Sequence, residues 1–288
     1  MWVCVPPSSA IRLAAALALA GAAVLADPPA RVVSMNLCTD QLAMLVAAPG
    51  QLVSISELAS NPMNSAMPEA ARAYPANTGG AEEIFLTRPD LVLAGTYSNP
   101  ATLAMLERLG IRVARIGLTT RLAEVPERLR QTGRLLGREA RAEALARTFE
   151  RDLARLSRGG PPRPLAAFFY ANGYTQGKGT LSDDILTHAG FANLAGSGEA
   201  ARGRSGGFDL ALEELVMADP DLLILSRPYP KTSRAEEILA HPALRALPAA
   251  AAPALSGPDW VCGTPLVLDA LAEMTRRRDA LAASPDRN

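Results

Sequence analysis

Glu82-Glu83-Ile84, followed by Pro89-Asp90-Leu91-Val92-Leu93, returns 131 residues later as Glu213-Glu214-Leu215 and Pro220-Asp221-Leu222-Leu223-Ile224, every position pairing at the same offset. Each copy reads as a short helix that ends at a Pro-Asp turn and feeds a buried apolar strand. A unit that recurs in each half predicts two lobes of related build. Two matching lobes leave a cleft between them, and a cleft is where a ligand sits.

The flanking sequence extends this pattern. Residues 31–35 have the β-branched character of a strand, and Asn36-Leu37-Cys38-Thr39-Asp40 turns into a helix through Leu42, Leu45 and Val46, with Thr39 or Asp40 as its cap. Residues 51–55 read as a second strand. The loop over 60–67 lacks apolar periodicity and is a candidate cleft wall. After the first repeat unit, residues 100–109 form a helix that stops at Gly110, and 111–116 a strand. Strands alternating with helices predict an α/β fold, each lobe holding a mostly parallel sheet flanked by helices.

From 122 to 158 the pattern becomes helical, with Ala142, Leu145, Ala146, Phe149, Leu153 and Leu156 at three- and four-residue intervals and an interruption at Gly137. This region is read as the single connection between lobes. Gly159-Gly160-Pro161-Pro162 ends it, and residues 165–170 open a second lobe that repeats the order of strand, loop, helix (182–189), repeat unit and strand, closing on a helix near 265–281. The expected organisation is a leader over 1–26, a first lobe over 27–121, a linker over 122–160 and a second lobe over 161–288.

The leader is read from Arg12 ahead of an apolar run over 13–25 and from Val24-Leu25-Ala26 before Asp27, the small residues preferred at a signal cleavage site. Export would leave Cys38 and Cys262, since Cys4 precedes the run. Of 288 residues 49% are hydrophobic and 20% charged, enough for packed cores. Twenty-nine basic residues balance twenty-nine acidic ones without a basic run, which argues against a nucleic-acid partner. Catalytic signatures are absent: no Gly-x-Ser-x-Gly elbow, no Cys-x-x-Cys, no His-Glu-x-x-His. The glycine-rich stretch 173–180 has the wrong spacing for a phosphate loop and is read as a cleft loop, and Asp183-Asp184 after Ser182 as a helix start. His188 and His241 lie off the proposed cleft loops and are read as structural, which disfavours His-ligated haem and leaves tyrosine ligation open. No enzyme activity, catalytic residue, resident metal or cofactor is expected.

Taken together, residues 31–35, the unit 82–94, Leu109-Gly110-Ile111, the long helix with Leu136-Gly137-Arg138 and the unit 213–225 make the chain resemble the periplasmic substrate-binding proteins of ABC importers for ferric siderophores, haem and cobalamin. The resemblance implies two α/β lobes joined by one long helix, with little cleft closure. It implies a monomeric receptor that captures a small-molecule metal complex and delivers it to a permease dimer in the inner membrane. It also assigns Glu82 and Glu213 to docking into arginine pockets on the two permease subunits. A helix dipole alone would favour a glutamate at such a position, and Glu83 and Glu214 have the same chemistry; the matched offset favours docking. An extracytoplasmic sensory or scaffold module with the same fold is the alternative.

Ligands of parallel α/β lobes sit beyond the carboxyl ends of the strands. The loops there are 36–39, 56–64 and 95–99 in the first lobe and 171–180, 226–231 and 258–264 in the second. They supply the candidate ligand residues Asn36, Cys38, Thr39, Tyr97, Asn172, Tyr174, Arg227, Tyr229, Trp260 and Cys262. Aromatic rings with polar tips suit a flat, partly apolar ligand, and about half of these aromatics, Tyr170 included in the count, are expected to touch it. Cys38 and Cys262 face the cleft from opposite sides with three readings open: a disulfide clamp, a thiolate pair for a soft metal, or two unlinked apolar thiols. Arg227 and Lys231 are the only cations on these loops, which tilts the ligand toward cobalamin or a near-neutral chelate.

Overall fold

The computed structural model describes residues 1–2, 27–196, 201, 203–227 and 233–283; all but the first two residues of the leader lie outside them. The first lobe runs β1 (Val32–Ser34), α1 (Leu37–Val46), β2 (Leu52–Ser56), α2 (Pro68–Ala71), β3 (Ala76–Asn77), α3 (Ala81–Leu86), β4 (Leu91–Gly95), α4 (Pro100–Arg108) and β5 (Val113–Ile116). Its sheet is parallel throughout in the order β3-β2-β1-β4-β5. The second lobe runs β6 (Leu165–Phe169), β7 (Tyr174–Gln176), α7 (Leu181–Ala189), β8 (Ala192–Asn193), β9 (Gly207–Asp209), α8 (Leu212–Ala218), β10 (Leu222–Ser226), α9 (Pro242–Arg245), β11 (Ala254–Ser256) and α10 (Val267–Ala283). Here β11-β10-β6-β8 form a parallel sheet, and β7 and β9 an antiparallel ribbon beside it.

The repeat unit occupies the same place in both sheets. Each copy is a helix, α3 or α8, followed by a strand, β4 or β10, paired with the first strand of its lobe. Its aspartate locks that pairing: Asp90 Oδ2 accepts from Ala30 N and Arg31 N at 2.8 Å, and Asp221 Oδ2 accepts from Leu165 N at 2.8 Å. The backbone N–H of each aspartate donates in return to the carbonyl of Arg31 or Leu165. The residues before the prolines, Arg88 and Asp219, both take left-handed φ, 50° and 40°, which ends the helix and turns the chain into the strand. The Pro-Asp pair is therefore a strand-start clamp used twice.

Central strands are apolar on both faces because both faces are covered. Along β4, Leu91 and Leu93 enter the main core, whereas Val92 joins Val33, Ile84 and Leu106 on the opposite face. Along β6, Ala166 and Phe168 enter the main core, and Ala167 and Phe169 pack outward with Leu215 and Leu244. The inner faces merge: one buried cluster runs from Val32 and Leu93 through Leu129 and Phe149 to Phe168, Trp260 and Met274, crossing from one lobe into the other.

The helical segment between lobes is two helices, α5 (Val125–Leu136) and α6 (Glu139–Leu156). Gly137, at φ 64°, is the left-handed cap that separates them, a conformation open to glycine at no steric cost. The helices fold against one another, with Gly133 facing Ala142 and Arg130 bridging Glu143 and Glu150 at 2.7 and 3.0 Å. Only α6, eighteen residues long, passes on to the second lobe. The interruption at Gly137 thus turns the chain back.

Candidate functional site

A cavity of about 610 Å³ lies between the lobes, lined by Tyr97 and residues 118–120 on one side and by Tyr170, Tyr174, Gln176, Ser256 and Trp260 on the other. Every one of these segments follows or borders a strand end. A second cavity of about 120 Å³ adjoins it, beyond β1, β4 and β5, and shares Tyr97, Leu118, Thr119 and Val261 with it.

The first-lobe wall is polar and rests on a buried hydrogen-bond network. Asn36 caps α1 by accepting from Cys38 N at 3.1 Å, and its side chain lies over the end of β4, where a Cβ on Gly95 would fall 2.7 Å from Asn36 Cγ. Behind it the Thr39 hydroxyl donates to the Asn36 carbonyl at 2.9 Å and bonds Ser34 Oγ at 2.7 Å. Asn77 ties in from β3, donating to Ser34 O and Ser54 Oγ, both at 2.9 Å. Asp40, fully buried, accepts from the Ser56 backbone at 3.2 Å and from the Ser56 hydroxyl. Burial pushes its carboxyl up to about 6, against the hydrogen bonds from Ser34 and Ser56 that favour the charged form.

The second-lobe wall is aromatic. Trp260 stands edge-on to Phe168, ring centroids 5.6 Å apart, so the tryptophan is braced from the core and lines the cavity while only 7% exposed. Burial raises the Tyr170 phenol, with Ser256 as its hydrogen-bond partner. Tyr174 opens the β7–β9 ribbon and lies across Gly207, where any Cβ would overlap the phenol. At the rim Arg227 meets Asp259 around Gly257; burial raises the Asp259 carboxyl, and Arg227 works in the opposite direction.

The lobes are also joined covalently at one end of the cleft. Cys38 and Cys262 form a disulfide, Cα atoms 5.2 Å apart. Beside it the Thr264 hydroxyl donates to Gln41 Oε1 at 3.4 Å; separately, Leu122 N donates to the Asp184 carboxylate of α7 at 2.7 Å. Of the three readings of the cysteines, the clamp is the one built. Disulfide sulfurs present no thiolate, which removes the metal-ligand reading.

Asn36, Cys38, Thr39, Tyr97, Tyr174 and Trp260 all line one of the two cavities. Cys262 is buried behind the wall. Arg227 is exposed at the rim next to the lining residue Gly257. Tyr229 and Lys231 lie outside the described residues. Asn172 is exposed, lines neither cavity and takes φ 59°, a tight turn that asparagine tolerates. The 60–67 loop follows β2, on the far side of β1 from the β1/β4 reversal where the sheet opens, and none of it lines either of these two cavities. Missing from the expectation was the loop after β5, Leu118 to Thr120, although the strand-end rule that chose the others points to it as well. The histidines sit elsewhere: His188 Nδ1 bonds the Asp184 carbonyl at 2.9 Å, and the His241 ring caps α9.

On the outer surface, Glu83 is held by Thr78, accepting from its N–H at 2.9 Å and its hydroxyl at 2.8 Å, and Glu214 lies 4.0 Å from Arg204. Glu82 and Glu213 are exposed and have no partner among the described residues.

Two parallel α/β lobes around an interlobe cavity, joined by one helix, define the class of two-lobe solute-binding proteins. The periplasmic binding protein family matches residues 32–253, and the chain belongs to it. Among solved structures it is similar to a periplasmic heme-binding protein, RhuT, from Roseiflexus sp. RS-1 (24% identity, 88% of this chain and 98% of the other, TM-score 0.71). It is also similar to the periplasmic vitamin B12 binding protein BtuF of Vibrio cholerae (19%, 89% and 99%, 0.68). A third is an ABC-type Fe3+-hydroxamate transport system protein from Saccharomonospora viridis (23%, 86% and 93%, 0.65). No curated protein sequence matches the chain. At these identities the solved structures speak to the fold alone.

Proposed function

We propose that this chain is the solute receptor of an ABC importer, exported by its leader, which captures a metal complex of the cobalamin or ferric-siderophore class between its lobes and delivers it to a permease dimer. The observation that carries this reading is the cavity of about 610 Å³ walled by Tyr97, Tyr170, Tyr174 and Trp260 in a member of a family of binding proteins. Aromatic faces bury the apolar surface of a large chelate, and the polar first-lobe wall orients its periphery. Glu82 and Glu213 are the docking carboxylates, supported by their matched placement on α3 and α8 and by their freedom from other partners.

Fluorescence tests the binding half of the proposal. With Trp2 replaced by Phe, Trp260 is the sole tryptophan. Titration with cyanocobalamin, ferric siderophores and haem, corrected for ligand absorption, should give saturable quenching by one of them at about micromolar concentration or below. No response to any would remove this ligand class. For delivery, the Glu82→Ala/Glu213→Ala double variant should keep ligand affinity within about twofold and lose at least about tenfold in uptake. Unchanged uptake would favour the sensory or scaffold alternative.

A further inference from the structure

The small cavity beside the main one sits where a doubly wound sheet opens, between the carboxyl ends of β1 and β4, at the point where the strand order reverses. Asn36, Thr39 and Thr96 form its back, and Val261 and Gly263 form its lid. That lid has a fixed position: Cys262 between them is bonded to Cys38, and Gly263 is pressed against Thr119 so closely that any Cβ there would overlap it. At about 120 Å³, against about 610 Å³ for the main cavity, the chamber has room for a short side arm and not for a whole chelate. It adjoins the main cavity, and four residues line both.

The side chains of this chamber offer neutral donors. Asn36 uses its carbonyl oxygen to cap α1, and its Nδ2 has no hydrogen-bond partner among the described residues. Thr96 Oγ1 accepts from Leu118 N at 2.9 Å, which leaves its proton to be donated. The Thr119 hydroxyl likewise has no partner among the described residues. No charged side chain lines the space. Arg128 beside Gly117 directs its guanidinium to the Leu118 carbonyl and Gln131 and is not in the lining, and behind the back wall stands the buried acid Asp40. Neutral donors suit an uncharged acceptor; a carboxylate would lose its hydration there without meeting a cation.

We infer that this chamber takes a short uncharged arm of the bound complex ending in a carbonyl-type acceptor such as a carboxamide, and discriminates against carboxylate arms. The inference rests on the receptor reading above and narrows its ligand class. It makes Asn36 and Thr119 specificity residues and assigns the disulfide a second task, holding the lid at one height.

Matched ligand pairs test it in the full chain carrying Trp2→Phe, read by Trp260 quenching: cyanocobalamin against its monocarboxylate with one propionamide hydrolysed, a ferric trihydroxamate carrying a terminal amide against the same chelate carrying a terminal carboxylate, and haem alone. The amide member should bind at least about tenfold more tightly than its carboxylate counterpart, the cost of one poorly solvated charge. Asn36→Ser retains an oxygen to cap α1, and Thr119→Val retains the shape of the side chain; each should reduce that preference to about threefold or less by removing one donor. Equal affinity within a pair, a preference unchanged in both variants, or tightest binding of haem, with its two carboxylates, would overturn the inference and leave the receptor reading standing. Failure of every compound to bind would remove both.

Discussion

The two lobes share a frame and differ in what they place on it. Strands β2-β1-β4-β5 of the first correspond in order to β8-β6-β10-β11 of the second, and the clamp from Asp90 or Asp221 starts the pairing in each. Beyond the strand ends the likeness stops. The first lobe presents a polar wall backed by buried Asp40, Ser34, Thr39 and Asn77, whereas the second presents Trp260, Tyr170 and a two-stranded ribbon carrying Tyr174. Hydrogen bonds hold one wall in place and ring packing holds the other. The repeated unit thus builds the scaffold, and the loops between repeats write the binding chemistry.

The largest test of the comparison is to cut the bond that joins the walls. The disulfide closes a sequence separation of 224 residues, so constraint of the unfolded chain puts its contribution at about 2–5 kcal/mol. Cys38→Ser/Cys262→Ser, or the native chain in dithiothreitol, should unfold at correspondingly lower denaturant concentration. Because one core spans both lobes, the transition should stay single. Separate transitions for the lobes would show that the shared core is weaker than the strap. Loss of less than about 1 kcal/mol would show that the strap constrains little beyond what packing already does.

Next in size is the acid under the polar wall. The Asp40 carboxyl is raised from 3.8 to about 6 in the folded state, so folding favours its protonated form. The associated stability is present in full below about pH 3.8 and is lost as pH rises through about 6, a change of up to about 3 kcal/mol. Asp183 and Asp259 shift in the same direction, and Glu124, Glu143 and Glu273 in the opposite one, so the total curve mixes signs. The difference between native chain and Asp40→Asn isolates the group: the variant should gain on the native chain from pH 4 to pH 7. A difference that stays flat across this window would mean that the network solvates the carboxylate fully.

The contrast between walls also explains what could be read from the sequence. The frame was legible because apolar strands, Pro-Asp turns and their 131-residue offset are local signals repeated twice. Strand-end loops located Asn36, Tyr97, Tyr174 and Trp260 at the cleft for the same reason. The 60–67 loop and Asn172 line neither cavity: which strand-end loops meet at the cleft depends on sheet order and on turn geometry such as the φ of 59° at Asn172, and no local pattern encodes either. Whether Cys38 reaches Cys262 depends on lobe spacing, which no local pattern encodes. The network around Asp40 was equally hidden, since Ser34, Ser56 and Asn77 read as ordinary strand and loop residues until the sheet brings them together.

The finest test falls on the aromatic wall, where position matters more than stability. Tyr174 is 39% exposed and contributes little to the core, yet its phenol lies where a side chain on Gly207 would have to go. Gly207→Ala should therefore push the ring out of place and leave folding almost unaffected, because the displaced group is the free end of a side chain and Gly207 is not at a positive φ. Unfolding free energy should change by less than about 0.5 kcal/mol and ligand affinity should fall about three- to tenfold, the worth of one aromatic contact. Tyr174→Ala should lose a similar amount, and adding Gly207→Ala to it should cost nothing further if both act through the same ring. Additive losses would mean that the ribbon backbone, and not the tyrosine, touches the ligand. The second lobe's wall would then owe its chemistry to main-chain groups, against the side-chain network of Ser34, Thr39, Asp40 and Asn77 across the cleft, and the lobes would differ in which part of the chain meets the ligand.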